Sequence, residues 1–315
     1  NQGVEEAMTL SAVHTRSDAY PTRLAEEAWL ERKDPVFWGN WTPQAPLTRA
    51  QTEDFDKNGF LVLNNVFSPA EVAKLQAESR RLRSGEAGLN SDNVVTEPES
   101  DAVRTIFRLE DESALFNRVA RDERIAGKIR FLLDDDLYLH QSRLNYKPGF
   151  TGKEFYWHSD FETWHAEDGM PRMRAISASI LLTDNDALNG PLMLMPGSHK
   201  HYVSCAGETP DDNHKSSLKK QDVGVPSHKA LSDLAEKFGI EYASGKAGTV
   251  ILFECNTIHG SNGNITPFPR SNAFFVYNAW SNRVEEPFAA NKPRPDFLSN
   301  RDPRGPFEIV SGKLE

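Results

Sequence analysis

From Leu137 onward the apolar pattern of this chain shortens to a period of two, and this change of period constrains the fold more than any other feature of the sequence. In Leu137 to Tyr146 the odd positions Leu139, Gln141, Arg143 and Asn145 are expected on one face of a strand, and Tyr138, His140, Ser142 and Leu144 on the other. Ala175 to Leu182, Thr249 to Phe253 and Asn272 to Tyr277 are also β-branched or aromatic and bounded by turn residues, as strands are. The front third reads differently. Ser68, Pro69 and Glu71 make a helix start in which Ser68 caps, Pro69 suits the first turn and Glu71 completes a capping box, giving a helix to about Arg83. Glu86 to Arg104 is polar without a sustained period, and a second helical stretch is expected from about Glu112 to Leu133. Helices followed by many strands predict an α+β chain whose β part closes as a two-sheet jelly roll, a cupin-like double-stranded β-helix, with helices around it.

Length allows one large domain or two, since β architectures with helical decoration often exceed the usual domain size. The expectation is a single domain over residues 1–315. It divides into an N-terminal arm (1–50) anchored by Trp29, Phe37, Trp38 and Trp41, a mainly helical part (51–135), the jelly-roll core (136–285) and a C-terminal tail (286–315). Cys205 to Pro226, rich in Asp, Lys, Ser, Gly and Pro, reads as a long mobile loop and hence as a lid. The 36 basic and 46 acidic residues leave a net charge of -10 with the basic ones scattered, which disfavours a nucleic-acid partner. No apolar run is long enough to span a membrane, and Asn1 to Tyr20 lacks the positive-then-apolar order of an export signal. Two cysteines, neither in a CxxC pattern, fit a reducing, cytoplasmic setting.

The chemistry concentrates in an HxD pair, His158 and Asp160, whose spacing turns both side chains the same way from an extended backbone. His259 follows far downstream, directly after the apolar strand ending at Phe253. Two imidazoles and one carboxylate on one face of a metal, with other positions open, form the facial triad of non-haem Fe(II) oxygenases, whose open positions admit a co-substrate and O₂. An HxD pair alone is weak evidence, because both residues are common at strand ends. Arg270, opening the next strand, strengthens it: a guanidinium there can grip a distal carboxylate bidentately, and Ser261 can add a hydroxyl. A keto acid chelating the metal at one end and anchored by Arg270 and Ser261 at the other is the arrangement expected for 2-oxoglutarate.

The HxD pair, the distal His259 and Arg270, together with Gly190 to Lys200, resemble the phytanoyl-CoA dioxygenase family of Fe(II)/2-oxoglutarate oxygenases. The stretch from Trp157 through His158, Asp160, Trp164 and His165 to Ala175 is similar, almost letter for letter, to the signature of that family's ectoine-hydroxylating branch, and the likeness runs from about Tyr20 to Ser281. The resemblance implies Fe(II) ligation and catalysis by His158, Asp160 and His259. It further implies 2-oxoglutarate binding by Arg270, Ser261, Asn145 and Phe155, and ectoine binding by Gln141, Trp164 and Asn272. The implied reaction converts ectoine to 5-hydroxyectoine, a compatible solute made under osmotic and heat stress, with release of succinate and CO₂, in a homodimeric enzyme. The residue patterns agree, since Gln141 shares a strand face with Asn145 and Arg270 shares one with Asn272. An indole such as Trp164 also suits ectoine's cationic amidine.

Blander readings stand beside these. Gln141 and Asn145 are also ordinary strand residues, Trp164 and Phe155 ordinary core aromatics, and Arg143 a structural ion-pair partner. His165 and His199 read as structural, and Glu167, Asp168 and Gly169 as a turn. The competing functions are a same-family oxygenase acting on another small metabolite and a noncatalytic, metal-binding jelly-roll sensor.

Overall fold

The structure, a computed structural model, describes residues 16–97 and 101–315. Its strands are β1 (Ala28–Glu31), β2 (Phe60–Leu63), β3 (Val94–Thr96), β4 (Val103–Phe107), β5 (Leu137–Lys147), β6 (Phe155–His158), β7 (Ala175–Leu181), β8 (Leu192–Leu194), β9 (His201–Ser204), β10 (Glu241–Tyr242), β11 (Val250–Glu254), β12 (His259–Ser261) and β13 (Arg270–Ala279). The helices are α1 (Arg49–Asn58), α2 (Pro69–Arg83), α3 (Leu109–Glu112), α4 (Ala114–Ala120), α5 (Lys128–Leu133), α6 (Asp160–Thr163), α7 (Asn213–Ser217) and α8 (His228–Phe238). Seven strands form an antiparallel major sheet in the order β2-β11-β7-β13-β5-β4-β3, and four form a minor sheet in the order β10-β8-β12-β6. The two make the double-stranded β-helix.

Alternation along the strands decides what lies on each side. On β13, Ala273, Phe275, Tyr277 and Ala279 join Val250 and Leu252 of β11 and Ile176, Ala178 and Ile180 of β7 in the main apolar core, which the helices close with Leu75, Phe116, Ile129 and Leu132. The opposite face packs Phe274, Ile251, Phe253 and Leu181 against Leu192 and Leu194 of the minor sheet. All ten residues of β13 are buried because both faces are covered.

The helix start at Ser68 forms as expected. Ser68 accepts from the Glu71 N–H, and the Glu71 carboxylate accepts from the Ser68 N–H at 3.0 Å. The second helical stretch is broken into pieces, because Ser113 and Asp122 turn their side chains onto the N–H groups of Phe116 and Arg124 and so cap new segments. The stretch expected to lack period holds β3 and the start of β4, short strands that extend the major sheet beyond β5 with β3 at its edge. In the arm, β1 pairs with β9, while residues 1–15 lie outside the described residues. Among the described residues no helix is long and apolar enough to cross a membrane.

One strand departs from simple alternation. Val276 pairs with Gln141 but Tyr277 pairs with Leu139, so His140 is an extra residue, a β-bulge. Below it Leu137 and Leu139 face the apolar core; above it Leu144 does, and Gln141, Arg143 and Asn145 face the other way. Leu139 therefore does not share the face of Gln141, as strict alternation had predicted.

Candidate active site

β5 and β13 run side by side, with Lys147 opposite Arg270 and Asn145 opposite Asn272. Directly paired residues point to the same face, so these four side chains form one wall of a cleft between the sheets. In the minor sheet His158, at the end of β6, pairs with His259, at the start of β12. The cleft, about 1510 Å³ with its open mouth included, is lined by all ten residues singled out above.

Local chain geometry assembles a group that can hold a metal ion. β6 ends at His158, Ser159 stays extended, and Asp160 opens α6. His158 and Asp160 consequently turn together, with His158 Nε2 3.1 Å from Asp160 Oδ1. His259 Nε2 lies 3.5 Å from the other carboxylate oxygen. Donor atoms of the three residues lie within 4.8 Å of one another. The Nδ1 atoms of His158 and His259 meet the carbonyls of Tyr156 and Thr257 at 2.7 and 2.9 Å. Each Nδ1 therefore donates its proton outward, and each Nε2 is turned towards Asp160. Two oriented imidazoles and a carboxylate fit Fe(II).

The charges of Asp160 and His259 agree with this, while on His158 a metal would displace the proton that Asp160 holds there. Burial would raise the Asp160 carboxyl, but His259, His158 and Arg143 hold it well below its ordinary value. Burial opposes protonation of His158, yet the bond and charge of Asp160 keep it above the usual imidazole range. His259 is lowered to about 4, chiefly by burial and then by His158, against the attraction of Asp160. Asp160 is anionic and His259 neutral near pH 7, the states in which they ligate metals.

One end of the cleft is cationic. Arg270 donates to the Gly190 carbonyl at 2.9 Å, and burial alone lowers its guanidinium to about 10. Lys147 Nζ donates to Ser261 Oγ at 3.0 Å and to the Asn262 carbonyl at 2.8 Å. Burial, then the charges of Arg270 and Arg104, pull Lys147 down to about 7. Phe155, 40% exposed, edges the mouth with Lys147 and Arg104 over its ring. Asn145 accepts from Thr105 at 3.2 Å. The alternation of β5 pointed to Lys147, which extending the expected strand by one residue would have found.

The other end is aromatic and amide-lined. Trp164 is buried at the start of a π-helical turn (Trp164–Asp168) that continues α6 and is ended by Gly169 in the left-handed region at φ 84°. A side chain on Gly169 would strike the Glu285 carbonyl. Gln141 donates to the Leu298 carbonyl at 2.9 Å and accepts from Arg143 at 2.6 Å. Asn272 donates to Ser179 at 2.9 Å. Arg143 lies over the Phe274 ring in the cleft, and burial lowers its guanidinium. Among the described residues, Arg143, Lys147 and Arg270 form no ion pair with a protein carboxylate, so Arg143 is not the structural ion-pair partner of the blander reading.

Two further expectations change. Glu167 and Asp168 are not a turn but close the π-helical segment, and both are buried, Glu167 against Arg23 at 3.0 Å and Asp168 against Arg294 at 2.6 Å. The C-terminal tail contributes to the cleft through Arg294 and Leu298. The segment after Cys205 carries α7 and turns Ser217, Leu218 and Gln221 into the cleft, Gln221 donating to Thr163 at 3.2 Å. No local pattern marks these residues, because each reaches the cleft through partners distant in the chain. His165 is structural as expected, bonded to the Met170 carbonyl and Asp18 and stacked on Phe288. His199 is likewise buried and bonded to the Asp56 carbonyl.

Comparison with known proteins extends this geometry to relatives. The ectoine dioxygenase of Sphingopyxis alaskensis is 55% identical over 298 residues, covering 94% of this chain and 97% of the relative. That of Stutzerimonas stutzeri is 54% identical, with 93% and 98% covered. The crystal structure of EctD from S. alaskensis with 2-oxoglutarate and 5-hydroxyectoine superposes with a TM-score of 0.87 at 50% identity, covering 95% of this chain and 100% of that one. The same protein has been solved with bound Fe. The family model for phytanoyl-CoA dioxygenase matches residues 55–272, from within α1 to Asn272, and so spans both imidazoles, the carboxylate and Arg270. On that match the chain belongs to the phytanoyl-CoA dioxygenase family.

Proposed function

We propose that the cleft hydroxylates ectoine to 5-hydroxyectoine while converting 2-oxoglutarate and O₂ to succinate and CO₂. The chain is a 2-oxoglutarate-dependent dioxygenase. One observation carries the site assignment: three cations, the buried Arg270 and Lys147 at one end and the half-buried Arg143 beside Gln141, line the cleft without ion-paired carboxylates of their own. Buried cations need anions, and the anions missing from the protein are those of the reactants. 2-Oxoglutarate is a dicarboxylate and ectoine a zwitterion with one carboxylate. Their order in the cleft follows the relatives, among them EctD with 2-oxoglutarate and 5-hydroxyectoine bound.

His158, Asp160 and His259 hold Fe(II), which supplies O₂ activation and the oxidative decarboxylation of the keto acid. Arg270, Ser261 and Lys147 grip the distal carboxylate of 2-oxoglutarate, with Asn145 and Phe155 beside it. At the other end Trp164 lies against ectoine's cationic amidine, Gln141 and Asn272 offer amides, and Arg143 faces its carboxylate. Holding both reactants converts an encounter into an oriented, effectively intramolecular step. The segment around α7 covers the cleft as a lid and excludes water. Protease sensitivity of residues 205–226 that is the same with and without 2-oxoglutarate and ectoine would remove that role.

The test is reconstitution with Fe(II) under anaerobic conditions, then aerobic incubation with both reactants, reading succinate and hydroxyectoine by mass spectrometry. Equal amounts of both, absent from His158→Ala, support the assignment; succinate without hydroxyectoine discards the substrate. We place the enzyme in the cytoplasm, in compatible-solute synthesis, where the free, buried Cys205 and Cys255 suit a reducing compartment. A homodimer is the assembly implied by the family, and sedimentation of the full chain decides it.

A further inference from the structure

The turn that carries Trp164 is gripped from both ends of the chain. Glu162, Glu167 and Asp168 are buried together, and three such carboxylates in one short stretch require cations. Arg23, from the N-terminal arm, reaches Glu162 at 2.6 Å and Glu167 at 3.0 Å. Arg294, from the C-terminal segment, forks onto Asp168, Nε to Oδ1 at 2.7 Å and Nη2 to Oδ2 at 2.6 Å. Arg301 of the same segment donates to the Asp168 carbonyl at 2.6 Å.

Asp168 also reaches the bulge on β5. Its Oδ2 lies 3.0 Å from His140 Nε2, and the His140 ring stands edge-on to the Trp164 indole, centroids 5.4 Å apart at 62°. His140 Nδ1 is buried without a hydrogen-bond partner, so Asp168 is the side chain that sets the imidazole's orientation. The segment holding Arg294 is tied to the same bulge, for the Asn300 N–H donates to the His140 carbonyl at 2.9 Å and Gln141 donates to Leu298.

We infer that Asp168 is a positioning residue for the substrate: clamped by Arg294, it orients His140 and fixes the Trp164 indole as the wall against which ectoine is aligned. The inference rests on the substrate reading above. Loosening the wall leaves the 2-oxoglutarate end intact but misplaces the C–H bond. Turnover then runs without hydroxylation: 2-oxoglutarate and O₂ still give succinate and CO₂, and ascorbate in the assay takes up the unspent oxidising equivalent, becoming dehydroascorbate with water as the other product.

The experiment compares wild type with Asp168→Asn, which keeps the shape and removes the charge, and with Arg294→Lys, which keeps the charge and removes the fork. KM for each reactant and the ratio of succinate to hydroxyectoine are measured with ascorbate present, and ectoine binding to the Fe(II)- and 2-oxoglutarate-loaded protein is measured without O₂ by calorimetry. We expect roughly ten-fold weaker ectoine binding in Asp168→Asn, KM for 2-oxoglutarate within about two-fold of wild type, and a succinate ratio above that of wild type. Arg294→Lys falls between, and decides the matter alone where Asp168→Asn does not fold. Unchanged ectoine binding and coupling in a folded variant overturn the inference, as does a parallel loss for both reactants with unchanged coupling. A wild type that forms succinate but no hydroxyectoine overturns instead the substrate reading on which it rests.

Discussion

The two ends of the cleft are built by different means. At the end proposed for 2-oxoglutarate Lys147 and Arg270 are register partners on adjacent strands, and Ser261 lies on a third strand within reach of Lys147. At the substrate end Gln141 adjoins a bulge, Trp164 rides on a π-helical turn, and both are braced by residues from the chain termini. Strand pairing alone positions a charge for a carboxylate. A wall for a ring requires packing from several directions, and the chain recruits its arm and tail to supply it.

The sharpest break would come at the centre the two ends share. His158→Ala should lower both products by more than about a thousand-fold and reduce bound iron, read by metal analysis; retained turnover would remove the triad from the mechanism. Next in size, Arg270→Ala should raise KM for 2-oxoglutarate by about ten- to a hundred-fold, since a hydrogen bond to a charged group is worth about 1.5–3 kcal/mol. Ectoine binding should hold, and an equal loss of both would break the distinction between the ends. Trp164→Ala should do the reverse, weakening ectoine by about ten-fold with KM for 2-oxoglutarate within about two-fold.

A subtler difference lies in pH dependence. Lys147 is lowered to about 7, so its ammonium form is complete only below that pH. The affinity for 2-oxoglutarate should then fall as pH rises above about 7, with proton uptake on binding visible in calorimetry, because the bound carboxylate raises the lysine again. Lys147→Met should flatten this profile, and the pH profile for ectoine should not follow it. Smallest in its effect on activity is Glu71→Gln, remote from both ends. Arg124 and the Leu314 and Ser68 N–H groups hold Glu71 at about 2, so its stabilising contribution is present above the unfolded value near 4.5 and lost as pH falls through about 2. The variant should lose about 1–3 kcal/mol by thermal unfolding at pH 7, with both KM values unchanged and the deficit closing in acid.

Much of the cationic end was legible because period-two alternation is a local property. Arg270 and Asn272 could be placed on one face from spacing alone, and so could Lys147 had the strand been read one residue further. The HxD geometry was legible for the same reason, an extended Ser159 between two side chains. The bulge at His140 was not, since an inserted residue leaves no mark on composition and appears only when a partner strand fixes the register. The buried acids Glu167 and Asp168 read as a turn because the arginines that neutralise them, Arg23 and Arg294, lie far away along the chain.

The sequence by itself determined the class of fold and pointed to the residues proposed to hold a metal and to anchor a dicarboxylate, because hydrophobic period and residue chemistry are carried by each segment alone. Only the tertiary structure decided which way β5 turns above His140, how the Trp164 turn is clamped, and that the tail lines the cleft, because a buried charge takes its meaning from the partner that packing brings to it.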